Sequence, residues 1–321
     1  MEFAPGIHCI KSTYAANKPL WVYVLEGDFC LWVDVGINVT PDESVIPYLR
    51  RHAPALWDKR QVAVITHADV DHFGGLGQLR QQRPDTLVFA HTADKLWIES
   101  PAAVLRERYL MHEADGLTLP AARQATLQER GGGGGKVDLA LSGGELIALG
   151  GVAGSWQVLH TPGHSSGHIV LWDDRRRWAL IGDAALDWGV PNDAGQLIAP
   201  PPYYDVDAYE QSVRLLLAQN AERVFTSHYG ILDAAQATSL YRNSLESIAV
   251  LEAALAAVLG RSSEGIGLEA LCLEVGREAG RWPEPLWPAL ADPISAHLKR
   301  QIARGQTQRL AKARGGIYRS L

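Results

Sequence analysis

Two periods of apolar and polar residues alternate along this chain, and where they change marks its organisation. Residues 20–25 and 29–35 are apolar and rich in β-forming side chains. Between them Glu26, Gly27 and Asp28 spell a turn, so the pattern predicts an antiparallel hairpin within a run of strands over residues 7–35. Residues 41–53 then read as a helix capped by Thr40. Gln61–Ile65 is a short apolar run rich in Val and Ile that predicts a buried strand, and Leu76–Gln82 carries helical spacing. Residues 86–90 form a second buried strand ending at His91, with Thr92 as the cap of a helix from Ala93. Strand, helix, strand is the rhythm of a sheet covered by helices. β character returns from Val137: a strand and turn over 138–145, then residues 156–159, 169–172 and 178–181, the last two joined by the polar tip 173–177. Residues 207–219 place Tyr209, Val213, Leu216 and Leu217 on one helical face, and Arg223–Thr226 is the last predicted strand. From about residue 238 the period is helical throughout, with Leu240, Leu245, Ile248, Leu251, Leu255 and Leu259 in step.

Two stretches depart from this rhythm. Residues 97–130 scatter Leu105, Leu110 and Met111 among Arg106, Glu107, Arg108, His112, Glu113 and Asp115, which predicts a helical insertion serving as a lid. The glycine run 131–135 before Lys136 does not complete a phosphate-binding loop. Arg130 stands where that pattern needs Gly, and Val137 where it needs Ser or Thr, so the run reads as a flexible linker and closes an insertion over 97–136. Residues 264–321 read as a small helical appendage. The expected division is a domain over 1–237 and a C-terminal helical domain over 238–321.

Composition narrows the partners. With 321 residues, 47% of them hydrophobic, the chain can bury a large core. A net charge of -6 argues against a molecule built as a whole around nucleic acid. One region differs: beyond His297 every charged side chain is basic, namely Lys299, Arg300, Arg304, Arg309, Lys312, Arg314 and Arg319. A solvated face or a homodimer contact is the plainer reading of that run, and a grip on nucleic acid the alternative. Cys9, Cys30 and Cys272 are too widely spaced for a metal pattern or a disulfide framework, which points to a reducing, cytoplasmic setting. No export signal opens the sequence, and no continuous apolar stretch reaches about 18 residues, so no membrane span is expected.

The chemistry concentrates in Thr66-His67-Ala68-Asp69-Val70-Asp71-His72-Phe73-Gly74-Gly75, between the strand Gln61–Ile65 and the helix Leu76–Gln82. His67, Asp69, Asp71 and His72 fall within six residues on a strand-to-helix turn. Imidazoles and carboxylates packed that closely compete or repel unless a cation holds them. Asp71 and His72 would open the helix, where negative charge is tolerated, and the glycines let the backbone pass close to an ion.

This motif resembles the His-x-His-x-Asp-His signature of the metallo-β-lactamase superfamily, with Asp69 in place of the second histidine. Three later elements match the same family in order: Thr161-Pro162-Gly163-His164 (continuing Ser165-Ser166-Gly167-His168), Ile181-Gly182-Asp183, and Ser227-His228-Tyr229-Gly230. The resemblance covers roughly residues 5–235. It implies an α/β fold, the αβ/βα sandwich of that family, followed by a C-terminal appendage similar in length and position to a winged-helix-like tail. It also implies two metal sites. His67, Asp69 and His164 would hold the first; Asp71, His72 and His228 the second; Asp183 would bridge them. Asp71 is carried over as the catalytic residue as well. A hydroxide bridging two such ions is a nucleophile at neutral pH, because metal binding lowers the pKa of water from about 15.7 to about 7. No Ser or Cys nucleophile is then required.

Asp69 changes the charge count. Two divalent cations are cancelled by three aspartates and a hydroxide, whereas histidine at 69 would leave one positive charge. A less electrophilic centre is therefore expected, and the harder ligand favours Fe or Mn relative to Zn, although Zn remains the first expectation. His160 and His168 flank His164 and either could orient a ligand. Tyr203, Tyr204 and Tyr229 are candidate hydrogen-bond donors to substrate. The first functional expectation is a metal-dependent hydrolase of a small ester, thioester or lactone, similar to the glyoxalase II and lactonase branches. A nuclease or phosphodiesterase gripping nucleic acid with the basic tail is the second. A diiron oxidoreductase is the third, against which stands the lack of a recognisable flavin module in this sequence.

Overall fold

The computed structural model describes residues 1–14, 18–311 and 315–321. Its first sheet has seven strands in chain order: β1 (Glu2–Ala4), β2 (Ile7–Thr13), β3 (Pro19–Glu26), β4 (Cys30–Val33), β5 (Gln61–Ile65), β6 (Leu87–His91) and β7 (Leu139–Leu141). Strands β1 to β4 pair antiparallel, and the predicted hairpin is β3 with β4. From β4 to β7 the pairing is parallel, because helical connections separate these strands. The second sheet is built from β8 (Leu146–Gly150), β9 (Gly154–His160), β10 (Ile169–Asp173) and β11 (Trp178–Gly182). After a two-stranded ribbon, β12 (Val190–Pro191) and β13 (Leu197–Ala199), it is completed by β14 (Arg223–Thr226) and β15 (Gly230–Asp233), in the order β15-β14-β11-β10-β9-β8.

Alternation along the strands makes the two sheets into a sandwich. On β4 and β5, Leu31, Val33, Val62 and Val64 face inward onto Trp156, Val158, Ile169, Leu171 and Leu180 of the second sheet. Trp32, Ala63 and Ile65 face the other way, under α1 (Ile46–His52), α2 (Pro54–Asp58), α3 (Val70–Phe73) and α4 (Leu76–Gln82). The outer layer on this side continues through α5 (Lys95–Glu99), α6 (Pro101–Val104) and α7 (Ala121–Arg130). The outer face of the second sheet is covered by α8 (Val206–Gln219), α9 (Ala234–Arg261), α10 (Leu268–Ala279) and α11 (Ala291–Ala303). Helix, sheet, sheet, helix is the αβ/βα layering.

Several details differ from the sequence pattern. Thr40 does not cap the helix after it with its side chain; its hydroxyl accepts from the Ile37 amide at 3.1 Å. Thr92 does not cap either. Its hydroxyl donates to the Leu141 carbonyl, and the helix begins later, at Lys95. The glycine run is a packed turn and not a free linker: a Cβ on Gly132 would lie 2.3 Å from the Gly74 carbonyl oxygen, so two glycine stretches approach backbone to backbone. Helix α9 is long and apolar enough by composition to cross a bilayer, which the search for an unbroken apolar stretch missed. Its Leu240, Ile248, Leu251, Leu255 and Leu259 instead join one apolar cluster with Val170, Ile181 and Val224 of the second sheet and Leu271, Ile294 and Leu298 of α10 and α11. The tail is not wholly helical: β16 (Ile266–Gly267), β17 (Thr307–Ala311) and β18 (Gly316–Ser320) form a small sheet beside α10 and α11.

Three of the seven basic residues beyond His297 are paired. Arg300 binds Asp207 and Glu252, Arg304 binds Asp207 and Arg309 binds Asp115. Lys312 and Arg314 lie outside the described residues. Glu252 ties α9 to α11, accepting from Arg300 at 2.6 Å and from His297. Burial alone would raise its carboxyl, but the hydrogen bonds from His297 and Arg300 outweigh burial and hold it at about 2, below its ordinary 4.5. Its contribution is complete above the unfolded value of 4.5 and is lost as pH falls toward 2. Glu252→Gln is therefore expected to lower the melting temperature at pH 7 by a few degrees. The variant should also lose less stability than the parent between pH 5 and 3. Thermal melts across that range check both.

Candidate metal centre

The candidate ligands sit where the topology exposes strand ends. His67, Asp69, Asp71 and His72 follow β5, Asp183 follows β11, His228 follows β14, and His164 lies in the turn between β9 and β10. The structure brings all seven together. His67, Asp69 and His164 form one group, Asp71, His72 and His228 another, and His67, His72 and Asp183 a third between them, with donor atoms inside each group within 4.8 Å of one another. Asp183 Oδ2 lies 3.3 Å from His228 Nε2, 3.6 Å from His72 Nε2 and 4.0 Å from His67 Nε2.

The surrounding hydrogen bonds decide which nitrogen each histidine offers. His164 Nδ1 donates to the Pro202 carbonyl at 2.6 Å, and His228 Nδ1 to the Pro19 carbonyl at 2.9 Å. His72 Nδ1 donates to Asp34 Oδ2 at 2.8 Å. The single Thr66 hydroxyl hydrogen goes to Asp34 at 2.9 Å, so that oxygen accepts from His67 Nδ1 at 3.0 Å. Every one of these imidazoles therefore holds its hydrogen on Nδ1 and turns a bare Nε2 inward.

These inward atoms lack partners. His67 Nε2, His72 Nε2, His228 Nε2 and Asp183 Oδ1 are buried without a hydrogen bond. His164 Nε2 faces Asp69 Oδ2 at 3.1 Å, a contact between two lone pairs that is stable only across a shared cation or proton. Converging buried acceptors of this kind cost free energy until a cation satisfies them, and imidazole plus carboxylate is a donor set that suits zinc, iron and manganese. The residues fit metal ions. Burial would raise the Asp71 carboxyl, but the Lys18 ammonium 3.0 Å away leads the charges that outweigh it and hold the group at about 2, so it stays an anion.

Beside the centre opens a cavity of about 470 Å³ whose walls include Asp69 and Asp71. The insertion supplies Arg108, Tyr109, Leu117 and Leu119; Lys18 and Tyr14 close one side; Pro288, Ala289, Ala291 and Asp292 come from the C-terminal region.

A model of the family described as the metallo-beta-lactamase superfamily matches residues 18–228. The chain belongs to this superfamily. Among its relatives, the probable metallo-hydrolase YflN of Bacillus subtilis is 26% identical, the match covering 71% of this chain and 85% of that one. The acyl-coenzyme A thioesterase MBLAC2 of Gallus gallus is 27% identical, with 76% and 85% covered. The crystal structure of the metallo-beta-lactamase family protein TTHA1429 from Thermus thermophilus superposes with a TM-score of 0.75 at 20% identity over 99% of both chains, which shows a shared fold that includes the C-terminal region.

Within this superfamily site, the remaining candidates divide. His168 is buried beside the centre; its Nδ1 donates to Thr161, and its Nε2 accepts from the Asp183 amide at 3.2 Å, so it holds a ligand's backbone. His160 is stacked on His91 and bonded to the Ser166 carbonyl, with no contact to the seven. Of the tyrosines, Tyr204 reaches the cavity wall, but its hydroxyl donates to Asp292 at 3.0 Å. Tyr203 is fully buried with its hydroxyl against His297, and Tyr229 donates to the Leu186 and Gly189 carbonyls. Those two hydroxyls are committed to the fold, so Tyr203 and Tyr229 do not line the cavity.

Four residues outside the motifs complete the site, of which only Asp34, at the end of a buried strand, was expected near it. Asp34 fixes His72 and the Thr66 amide (2.7 Å). Asp94 accepts from the Ala68 amide, the Ser165 hydroxyl and the Gly167 amide, stapling the first motif to the Thr-Pro-Gly-His loop. Lys18 donates to Asp71 at 3.0 Å, and Arg108 grips Asp69. Gly163 in the same loop serves architecture: at φ +128 a Cβ there would lie 2.2 Å from the Tyr209 amide nitrogen of α8.

Proposed function

We propose that this chain is a dinuclear metal-dependent hydrolase of a small acyl compound, with a thioester as the first substrate class and esters or lactones beside it. The observation that carries the reading is the cavity. Its wall includes Asp69 and Asp71 and an apolar part made by Leu117, Leu119, Leu127, Pro202 and Pro288, beside the charged Lys18, Arg108, Arg123 and Asp292. Such a space suits an acyl chain and holds its carbonyl against the centre. The name of the thioesterase relative supports the thioester choice. When bound, zinc ions, or iron or manganese in their place, supply a water nucleophile active at neutral pH and polarise the substrate carbonyl. The protein's part is to hold four bare Nε2 atoms and three carboxylates around them, to keep Asp71 ionised through Lys18, and to screen the reacting bond from bulk water with the insertion. Arg300, Arg304 and Arg309 are paired with acidic residues, which weighs against the basic run as a grip on nucleic acid.

Elemental analysis by mass spectrometry and a panel of short and medium acyl thioesters, esters and lactones test the proposal. Turnover of one class is expected, falling at least about a hundredfold when metal is chelated and returning with about two zinc ions per chain. Turnover that survives full metal removal, or a panel wholly inert with metal restored, would overturn it.

A further inference from the structure

Arg108 belongs to the insertion and not to either sheet, yet it is 2% exposed and reaches the centre. Its Nε donates to Asp69 Oδ1 at 2.7 Å and its Nη2 to Asp69 Oδ2 at 2.9 Å, a two-point fork. Its guanidinium lies 3.5 Å from the centre of the Tyr204 ring, whose hydroxyl is tied to Asp292. The buried cation is thus held from both faces of the site, by a carboxylate on one side and an aromatic platform on the other. Its placement bears on the charge count. Asp69 removes the positive charge that histidine would have left at a two-ion centre, and Arg108 returns one at hydrogen-bond distance. Among the groups bonded directly to ligands, Lys18 on Asp71 and Asp34 on His72 add one charge of each sign, while Asp292, one bond further out, is held by Tyr204 and His112.

We infer that Arg108 is a positioning residue, and that Asp69 and Arg108 act as a unit in the place of the family's histidine. The fork orients the carboxylate so that Oδ2 is presented between His164 Nε2 and His67 Nε2, at 3.1 and 3.6 Å. This revises the weaker electrophile expected from Asp69 alone. It also has a two-sided consequence. Arg108 shares the carboxylate with any bound ion, so it loosens the ion's hold while keeping the centre electrophilic. The inference rests on the metal-hydrolase reading above, but one of its readouts needs no substrate.

The test is a cycle of Arg108→Met, Asp69→His and the double variant. Zinc affinity is measured by competition with a chromophoric chelator, and kcat and KM on whichever panel substrate turns over. Arg108→Met is expected to bind zinc about tenfold tighter or more, since a positive charge a few ångströms away is gone. Its kcat should fall about a hundredfold, with KM changed less than about threefold. A merely structural arginine would weaken both binding and turnover. Asp69→His alone leaves Arg108 buried without its carboxylate and should weaken zinc about tenfold. The double variant should return zinc affinity and kcat to within about threefold of the parent. Weaker zinc binding in Arg108→Met, or single effects that simply add in the double variant, would overturn the inference. If Arg108→Met does not fold, Arg108→Lys keeps the charge and loses the fork. It is expected to retain zinc affinity within about threefold while kcat drops about tenfold, and an unchanged kcat would sink the positioning role. Should the panel be inert throughout, the hydrolase reading fails and the zinc affinities still decide the exchange.

Discussion

An Asp183→Asn variant is expected to lose at least about a thousandfold in turnover while its metal-free form melts within a few degrees of the parent. The side chain lies between the two outer ligand groups, with Oδ2 within reach of His67, His72 and His228 and Oδ1 buried without a partner. Asn has the same shape but no charge, and one of its two oxygen positions becomes a donor facing imidazole lone pairs and the ions. The metal-free fold gives up little, because an uncompensated buried carboxylate costs about as much as it returns. The loaded form gives up the charge that lies between the groups. Melts with and without zinc separate the two: zinc raises the parent's transition by mass action, and the variant's shift should be much smaller. Turnover above about a tenth of the parent's would remove Asp183 from the chemistry.

The second large effect is expected at Asp34, one bond further out. It sits just past β4 at φ +62, a conformation that Asp and Asn tolerate better than most residues. Its carboxylate accepts from the Thr66 amide, the Thr66 hydroxyl and His72 Nδ1. Asp34→Asn keeps the backbone and can still accept from the Thr66 amide. Its NH₂ then faces His72 Nδ1, which must become the bare nitrogen. The hydrogen moves to Nε2, and the ring can no longer offer its lone pair inward. Zinc affinity is expected to fall between about ten- and a hundredfold, with turnover falling at least as far. Asp34→Ala adds a buried amide without a partner and strain at positive φ, so it should also lose about 3 kcal/mol or more of stability. Chelator competition on Asp34→Asn, with urea melts on both variants, checks the pair. Parent-like zinc affinity in Asp34→Asn would show that Asp34 does not set the His72 tautomer.

What the chain announced in its sequence, and what it withheld, follows from the distance over which each contact is made. His67 to His72 are legible because their chemistry is crowded into one turn after a strand with the unmistakable apolar run of Gln61–Ile65. The sandwich was implied by the family resemblance, while its strands β4, β5, β10 and β11 are legible as apolar runs, the first two with helical spacing between them and the last two with a polar hairpin tip. Arg108 was visible as a charge in a helical insertion, but its partner lies 39 positions earlier, and no local period marks such a pairing. Asp34 carried a faint signal, a carboxylate at the end of a buried strand. Asp94 carried less, since in a helix expected from Ala93 an acid in the first turn is unremarkable. Tyr203 and Tyr229 misled for the converse reason: a hydroxyl in a loop looks available until tertiary packing supplies its acceptor. Helix α9 misled in the same way, because scattered Ser, Glu and Arg broke the apolar count while leaving its mean composition apolar enough.

Part of the cavity wall is made by Pro288, Ala289, Ala291 and Asp292, in a region that supplies none of the seven inward-facing ligands. On the proposed hydrolase reading, part of what selects the acyl group is thereby carried by a stretch of chain separate from the ligands that would hold the metal. Randomising Pro288, Ala289 and Ala291 would reshape the space offered to a substrate while every metal-directed atom stays where it is. The molecule could in this way acquire a new diet by small steps in its last quarter, each one screened against chemistry that is already in working order.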